Sequence, residues 1–120
     1  MIFQVQWFEI PTIDFKRSLH FYETLFASKA QVLELNNLKM GIFKEGSVGC
    51  AVCWGPHYQP SSGGPVVYLN GDPDLDTALK TVASLGGEIV QEKKLISPQM
   101  GYMGLFKDRD GNTFAVSSQQ

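Results

Sequence analysis

Histidine and cysteine, the side chains that most often hold transition metals or act as nucleophiles, are scarce here: the sequence has two of each in 120 residues. A disulfide framework is therefore excluded as the basis of the fold. None is needed, since a chain of this length buries roughly two-thirds of the surface its unfolded form exposes. A basic surplus is also lacking: 10 Lys and Arg stand against 12 Asp and Glu. That balance leaves no electrostatic footprint for nucleic acid. No stretch stays apolar for the ~18 residues a membrane span requires, so no membrane partner is expected. The opening residues, Met-Ile-Phe-Gln-Val-Gln-Trp, have no basic n-region, and a cytoplasmic location is the expectation.

What is present is ordinary for a folded domain, with 43% hydrophobic and 18% charged residues. Cys50 and Cys53 imitate a redox Cys-x-x-C, but they lie in an apolar run, 48–54, that reads as a strand. Residues three apart on a strand point to opposite faces, so a bridge between them would strain the backbone. Both are expected to be structural or incidental thiols, not a redox pair.

Alternation and helical spacing give an ordered series of elements. A strand over 5–10 puts Trp7 and Glu9 on one face, with Phe8 and Ile10 on the other. Pro11 ends it, and Asp14 suits the N-cap of a helix running to about residue 26. Phe15, Leu19, Tyr22 and Phe26 form its core stripe, leaving Lys16, His20 and Glu23 on the solvated side. Strands follow over 30–35, 38–43 and 48–54. A stretch rich in Gly, Pro and Ser, 55–65, reads as a linker carrying His57 on the surface.

The pattern then repeats. After a strand over 66–70, Asp72-Pro73 supplies an N-cap with proline at the first helical position, and Asp74 and Asp76 suit the positive end of the helix dipole. Leu75, Leu79, Val82 and Leu85 form the stripe, and Gly86-Gly87 ends the helix. Strands over 89–96, 102–107 and 113–118 complete the chain. The segment 97–101 reads as a mobile loop. The last two strands are joined by Asp108-Arg-Asp-Gly-Asn112, whose Asp-Gly step signals a hairpin. Its spacing imitates a calcium loop, but the required glycine would fall at Thr113 and the closing carboxylate at Gln119, so it is a turn.

Two strand-helix-strand-strand-strand modules, displaced by about sixty residues, make an α+β fold. The expected organisation is one domain over 1–120: module one at about 1–55, the linker, and module two at about 66–120. Each helix covers one face of its sheet, and the uncovered faces can curve into a cup.

Three pieces of the chain carry a resemblance. They are Trp7-Phe-Glu-Ile-Pro-Thr-Ile-Asp14 leading into Ser18-Leu-His-Phe-Tyr22 and Leu25-Phe26; Leu75 to the double glycine; and Phe106 to Phe114. In this order and spacing the sequence resembles the vicinal oxygen chelate superfamily, the group of glyoxalase I, extradiol dioxygenases and bleomycin-resistance proteins. The closing piece is similar to the family's Phe-x-Asp-Pro-x-Gly-Asn hairpin, with Arg109 in place of proline. The resemblance implies two βαβββ modules forming a cupped, mixed β-sheet, with pairing into a homodimer.

Enzymes of the family hold a divalent metal with His, Gln or Glu from the first and fourth strands of each module. Mapped onto this chain, those positions read Trp7 and Ala115. The run 48–54 has no His, Gln, Asp or Glu, and 66–70 offers only Asn70. No metal and no other cofactor is expected. The residues expected to face the cup are Trp7, Glu9, Tyr68, Asn70, Thr113, Ala115 and Ser117, with Met100 and Tyr102 near the rim. The candidate ligand contacts among them are Trp7, Glu9, Tyr68, Asn70, Met100, Tyr102 and Ser117. Apolar walls with few polar groups suit a small aromatic or amphipathic molecule. A carboxylate beside such walls is costly to ionise, which suits Glu9 to gripping a cationic group or moving a proton.

Three functions stay open. The first is a metal-free small-molecule binder, and the second a metal-independent isomerase or lyase with Glu9 as its catalytic acid or base. The third is a fold retained for self-association, with Trp7 and Tyr68 filling the cup or an interface.

Overall fold

The computed structural model describes residues 1–46 and 48–120. It contains two compact units, Met1–Pro60 and Ser61–Gln120. In the first, the order is β1 (Trp7–Pro11), α1 (Phe15–Phe26), β2 (Gln31–Leu35), β3 (Leu38–Phe43) and β4 (Gly49–Trp54). In the second it is β5 (Val67–Asn70), α2 (Asp76–Ser84), β6 (Glu88–Ser97), β7 (Gly101–Lys107) and β8 (Thr113–Ser118). The fold is α+β, with two βαβββ modules. Each sheet is mixed, ordered β1-β4-β3-β2 in one unit and β5-β8-β7-β6 in the other, with the first and last strand of each module parallel and the other neighbours antiparallel.

α1 begins where Asp14 accepts a hydrogen bond from the Arg17 amide at 3.2 Å. Its buried stripe is Ser18, Phe21 and Tyr22, while Phe15, Leu19 and Phe26 are half-buried. The stripe is thus rotated from the expected one, and Phe26 packs edge-to-face with Phe43 of β3, 5.2 Å between ring centroids. Glu23 is not a free solvated side chain either. It accepts from the Ala30 amide at 2.9 Å and stands 3.9 Å from Lys29. The helix ends in a left-handed cap formed by Ala27 at φ 50°, with the amides of Ala27 and Ser28 returning to Thr24 and Glu23.

α2 starts later than Asp72-Pro73 predicts, at Asp76. Asp72 instead accepts from the Gln119 amide at 2.8 Å, clamping the end of the chain, and Asp74 accepts from the Asp76 amide at 3.0 Å. Leu75, Leu79 and Val82 are buried, and Leu85 is half-buried. Each fully buried side chain of this size contributes roughly 1.5–3 kcal/mol over its exposed state. The double glycine closes the helix as expected: Gly86 has φ 86°, and the amides of Gly86 and Gly87 return to Ala83 and Val82. The segment around Pro98 is a hairpin connection between β6 and β7, with Ser97 opposite Gly101.

The Asp108 turn joins β7 to β8 as an antiparallel hairpin, with Lys107 opposite Thr113 and Gly111 at φ 90°. Cys50 and Cys53 are free and buried on opposite faces of β4, and His20 and His57 are exposed.

Candidate functional site

In the first unit α1 lies against the sheet face that carries Phe43 and its partner Cys50. The other face holds Trp7, Glu9 and Pro11 of β1 beside Gly49, Ala51 and Cys53 of β4. Gly49 makes room there for the indole: a Cβ at that position would lie 2.7 Å from Cζ3 of Trp7. One side of the ring therefore rests on backbone, and the residue keeps 39% of its surface exposed. Met40 stands opposite Cys53, and Leu33, 43% exposed, opposite Met40, so the floor beyond is apolar.

The Glu9 carboxylate is held at both oxygens. The indole Nε1 of Trp7 donates to Oε2 at 3.3 Å, and the hydroxyl of Tyr58 donates to Oε1 at 3.0 Å. Tyr58 reaches it from a turn after β4, closed by its own amide donating to the Gly55 carbonyl at 3.1 Å. The Tyr58 hydroxyl is pushed up in pKa by burial first and then by its bond to Glu9. The Cys53 thiol, fully buried, is pushed up to about 12, again by burial first and then by the charge of Glu9. Both groups therefore remain neutral at ordinary pH.

Sequence reasoning paired Trp7 with Glu9 but missed Tyr58. It sits in a stretch read as linker, and it meets Glu9 across 49 positions of the chain. No local pattern carries that contact.

In the second unit Tyr68 and Asn70 of β5 stand beside Ala115 and Ser117 of β8. Tyr68 is 55% exposed, and Asn70 uses its side-chain oxygen locally, accepting from the Asp72 amide at 2.9 Å. Met100 is exposed in the β6–β7 turn. Tyr102 does not belong with them. It is two residues from Gly104, whose Cβ would point at Leu79 of α2 and at Leu75 just before it, so it lies on the helix side of the sheet. There the ammonium of Lys93, bound to Asp74 at 2.9 Å, stands 4.8 Å from the Tyr102 ring centroid. Tyr102 was expected near the rim; period-two alternation puts it on the opposite side of the sheet from Met103 and Ser117.

A cleft of about 660 Å³ lies on the α1 side of the first sheet, lined among others by Phe15, Leu19, Val32, Lys39 and Trp54. It shares no residue with the Trp7–Glu9 face. Within it Lys39 stands 5.2 Å from the Trp54 ring centroid, and Asp14 faces Arg17 at 3.9 Å. The convergent, outward-facing arrangement is the one at Glu9.

No protein-family model matches the sequence, and no curated protein matches it. Solved structures do. Hypothetical protein SA1046 from S. aureus superposes with a TM-score of 0.73 at 22% identity, over 98% of this chain and 95% of that one. A glyoxalase/bleomycin resistance protein from Albidiferax ferrireducens T118 gives 0.74 at 14% identity, over 96% and 98%. A mutant of the fosfomycin resistance protein FosX from Listeria monocytogenes, complexed with Mn(II) and 1S,2S-dihydroxypropylphosphonic acid, gives 0.67 at 14%, over 100% and 93%. The chain has the vicinal oxygen chelate fold.

That fold implies a divalent metal, and the donors present here do not fit one. On the open face of β1 and β4 the heteroatom side chains are Trp7, Glu9 and Cys53. Indole nitrogen is a donor of hydrogen bonds only, and the Cys53 thiol resists the deprotonation a metal requires. Among the described residues no group of three or more His, Cys, Asp or Glu converges. The vicinal oxygen chelate fold is thus present while the open face of β1 and β4 offers a single carboxylate, Glu9.

Proposed function

We propose that this chain is a metal-free small-molecule binding protein on the vicinal oxygen chelate fold. It takes an aromatic or amphipathic ligand on the Trp7–Glu9 face, works in the cytoplasm and assembles as a homodimer. The observation that carries the reading is the indole of Trp7, supported from one side by Gly49, open on the other, and tied to a carboxylate that Tyr58 also holds. A rigid aromatic plate with one fixed polar neighbour is how apolar ligand sites set orientation. On the second sheet, Tyr68, Asn70 and Ser117 offer contacts of the same kind, and exposed Met100 is a further one.

Both Glu9 oxygens already accept hydrogen bonds, which fixes the carboxylate as an acceptor. That supports binding ahead of the isomerase or lyase reading, in which Glu9 must take and return a proton.

Thermal-shift and calorimetric titration with a panel of aromatic amphiphiles tests the proposal. The parent protein should be stabilised by at least one of them. Trp7→Ala should lose on the order of 1 kcal/mol or more of binding while still folding. Unchanged affinity in Trp7→Ala, or close to one metal ion per chain after mild purification, would overturn it.

A further inference from the structure

The chemistry around Glu9 also selects the charge of the ligand, on the reading that this face binds a small molecule. Three carboxylates elsewhere in the molecule face cations: Asp14 stands 3.9 Å from Arg17, Glu23 3.9 Å from Lys29 and Asp74 2.9 Å from Lys93. Glu9 differs. Its partners are the indole N–H of Trp7, the hydroxyl of Tyr58 and the neutral thiol of Cys53, all uncharged. Among the described residues no lysine, arginine or histidine pairs with it. The donors fix where the two oxygens point, but they leave the negative charge uncompensated.

The neighbours of Glu9 on β4 add nothing cationic. Ala51 is the register partner of Glu9, and Gly49 and Cys53 flank it on β4, with the thiol held neutral beneath. Beside the carboxylate lies the open side of the Trp7 ring, whose quadrupole attracts cations as well as apolar groups. An anion and an aromatic plate side by side, both exposed and both fixed, form a recognition pair for an ammonium or guanidinium group carried on an apolar body.

We infer that the ligand of the Trp7–Glu9 face is a small organic cation, with its charged group paired to Glu9 and its apolar part laid on Trp7. Tyr58 is the positioning residue that holds the carboxylate toward it.

Calorimetric titration with three probes of one shape tests this: phenethylammonium, 2-phenylethanol and phenylacetate. Phenethylammonium should bind about tenfold or more tighter than the alcohol, with phenylacetate weakest, and added salt should weaken the ammonium selectively. Glu9→Gln should bring the ammonium down to the level of the alcohol. Tyr58→Phe retains the charge but frees the carboxylate, so it should weaken the ammonium several-fold and leave the alcohol unchanged. This second variant keeps the test decisive if Glu9→Gln folds poorly.

Equal affinity for the ammonium and the alcohol in the parent, or a preference for the ammonium that survives Glu9→Gln, overturns the charge assignment and leaves the binding face standing. Binding of none of the three probes overturns the binding face and the charge assignment together.

Discussion

At Asp108 a single carboxylate organises the turn that closes the second module. Only 5% of the residue is exposed, and Oδ1 accepts from the amides of Asp110 and Asn112, both at 2.9 Å, while Oδ2 accepts from the Asn112 side chain at 2.9 Å. Removing the acceptor strands buried donors, which costs more than the bond itself contributes. Asp108→Ala should therefore lose about 2–3 kcal/mol, measured by urea unfolding. A loss within experimental error of zero would show that water replaces the carboxylate.

The two thiols make a second prediction at this scale. Burial pushes Cys50 up to about 11 and Cys53 up to about 12, both above the ordinary 9.0. The unfolded chain therefore releases these protons first as pH rises. The stability they contribute is present below pH 9.0 and is lost progressively through about 11 and 12. Unfolding midpoints above pH 9.0 should fall more steeply in the parent than in a Cys50→Ala, Cys53→Ala double variant. Identical slopes would exclude the thiols as the cause.

Among the elements, strands proved easier to read than helix faces. β3 and β8 keep their expected bounds, because alternation and flanking turn residues fix where such strands start and stop. The faces of α1 were ambiguous for a physical reason: aromatic or large apolar residues stand at 15, 19, 21, 22, 25 and 26, enough for two overlapping stripes. The fold buries Ser18, Phe21 and Tyr22, while Phe26 packs on Phe43; helical period alone does not choose between the two stripes.

The cap of α1 also escaped prediction. A left-handed residue there normally calls for glycine, and the chain uses Ala27 at φ 50°. Ala27→Gly should raise stability by roughly 0.5–1 kcal/mol, seen as a higher melting temperature, because the left-handed conformation no longer strains a Cβ. A lower melting temperature would mean that the unfolded chain's added freedom outweighs that relief.

For the molecule as a whole, the repeat read from the sequence corresponds to two units with the same element order and the same strand order. β1 and β2 are the edge strands of the first sheet, and β2 exposes Val32, Leu33 and Leu35 with one charged residue, Glu34. Exposed, apolar strand edges favour pairing with a second copy. Light scattering should give twice the chain mass at micromolar concentration, and a monomer mass there would contradict the homodimer.

The sequence by itself determined the α+β class, the order of elements, the closing hairpin and the shared face of Trp7 and Glu9. Those follow from short-range rules, namely period-two alternation, N-caps and turn residues, that act within a few positions. Only the tertiary structure decided which stripe of α1 is buried, that Tyr102 stands on the helix side under Lys93, and that Tyr58 completes the Glu9 site. Each of these depends on a contact between residues distant in the chain or on a register between strands. Local propensity carries no information about partners 49 positions away, whereas packing brings them to 3.0 Å.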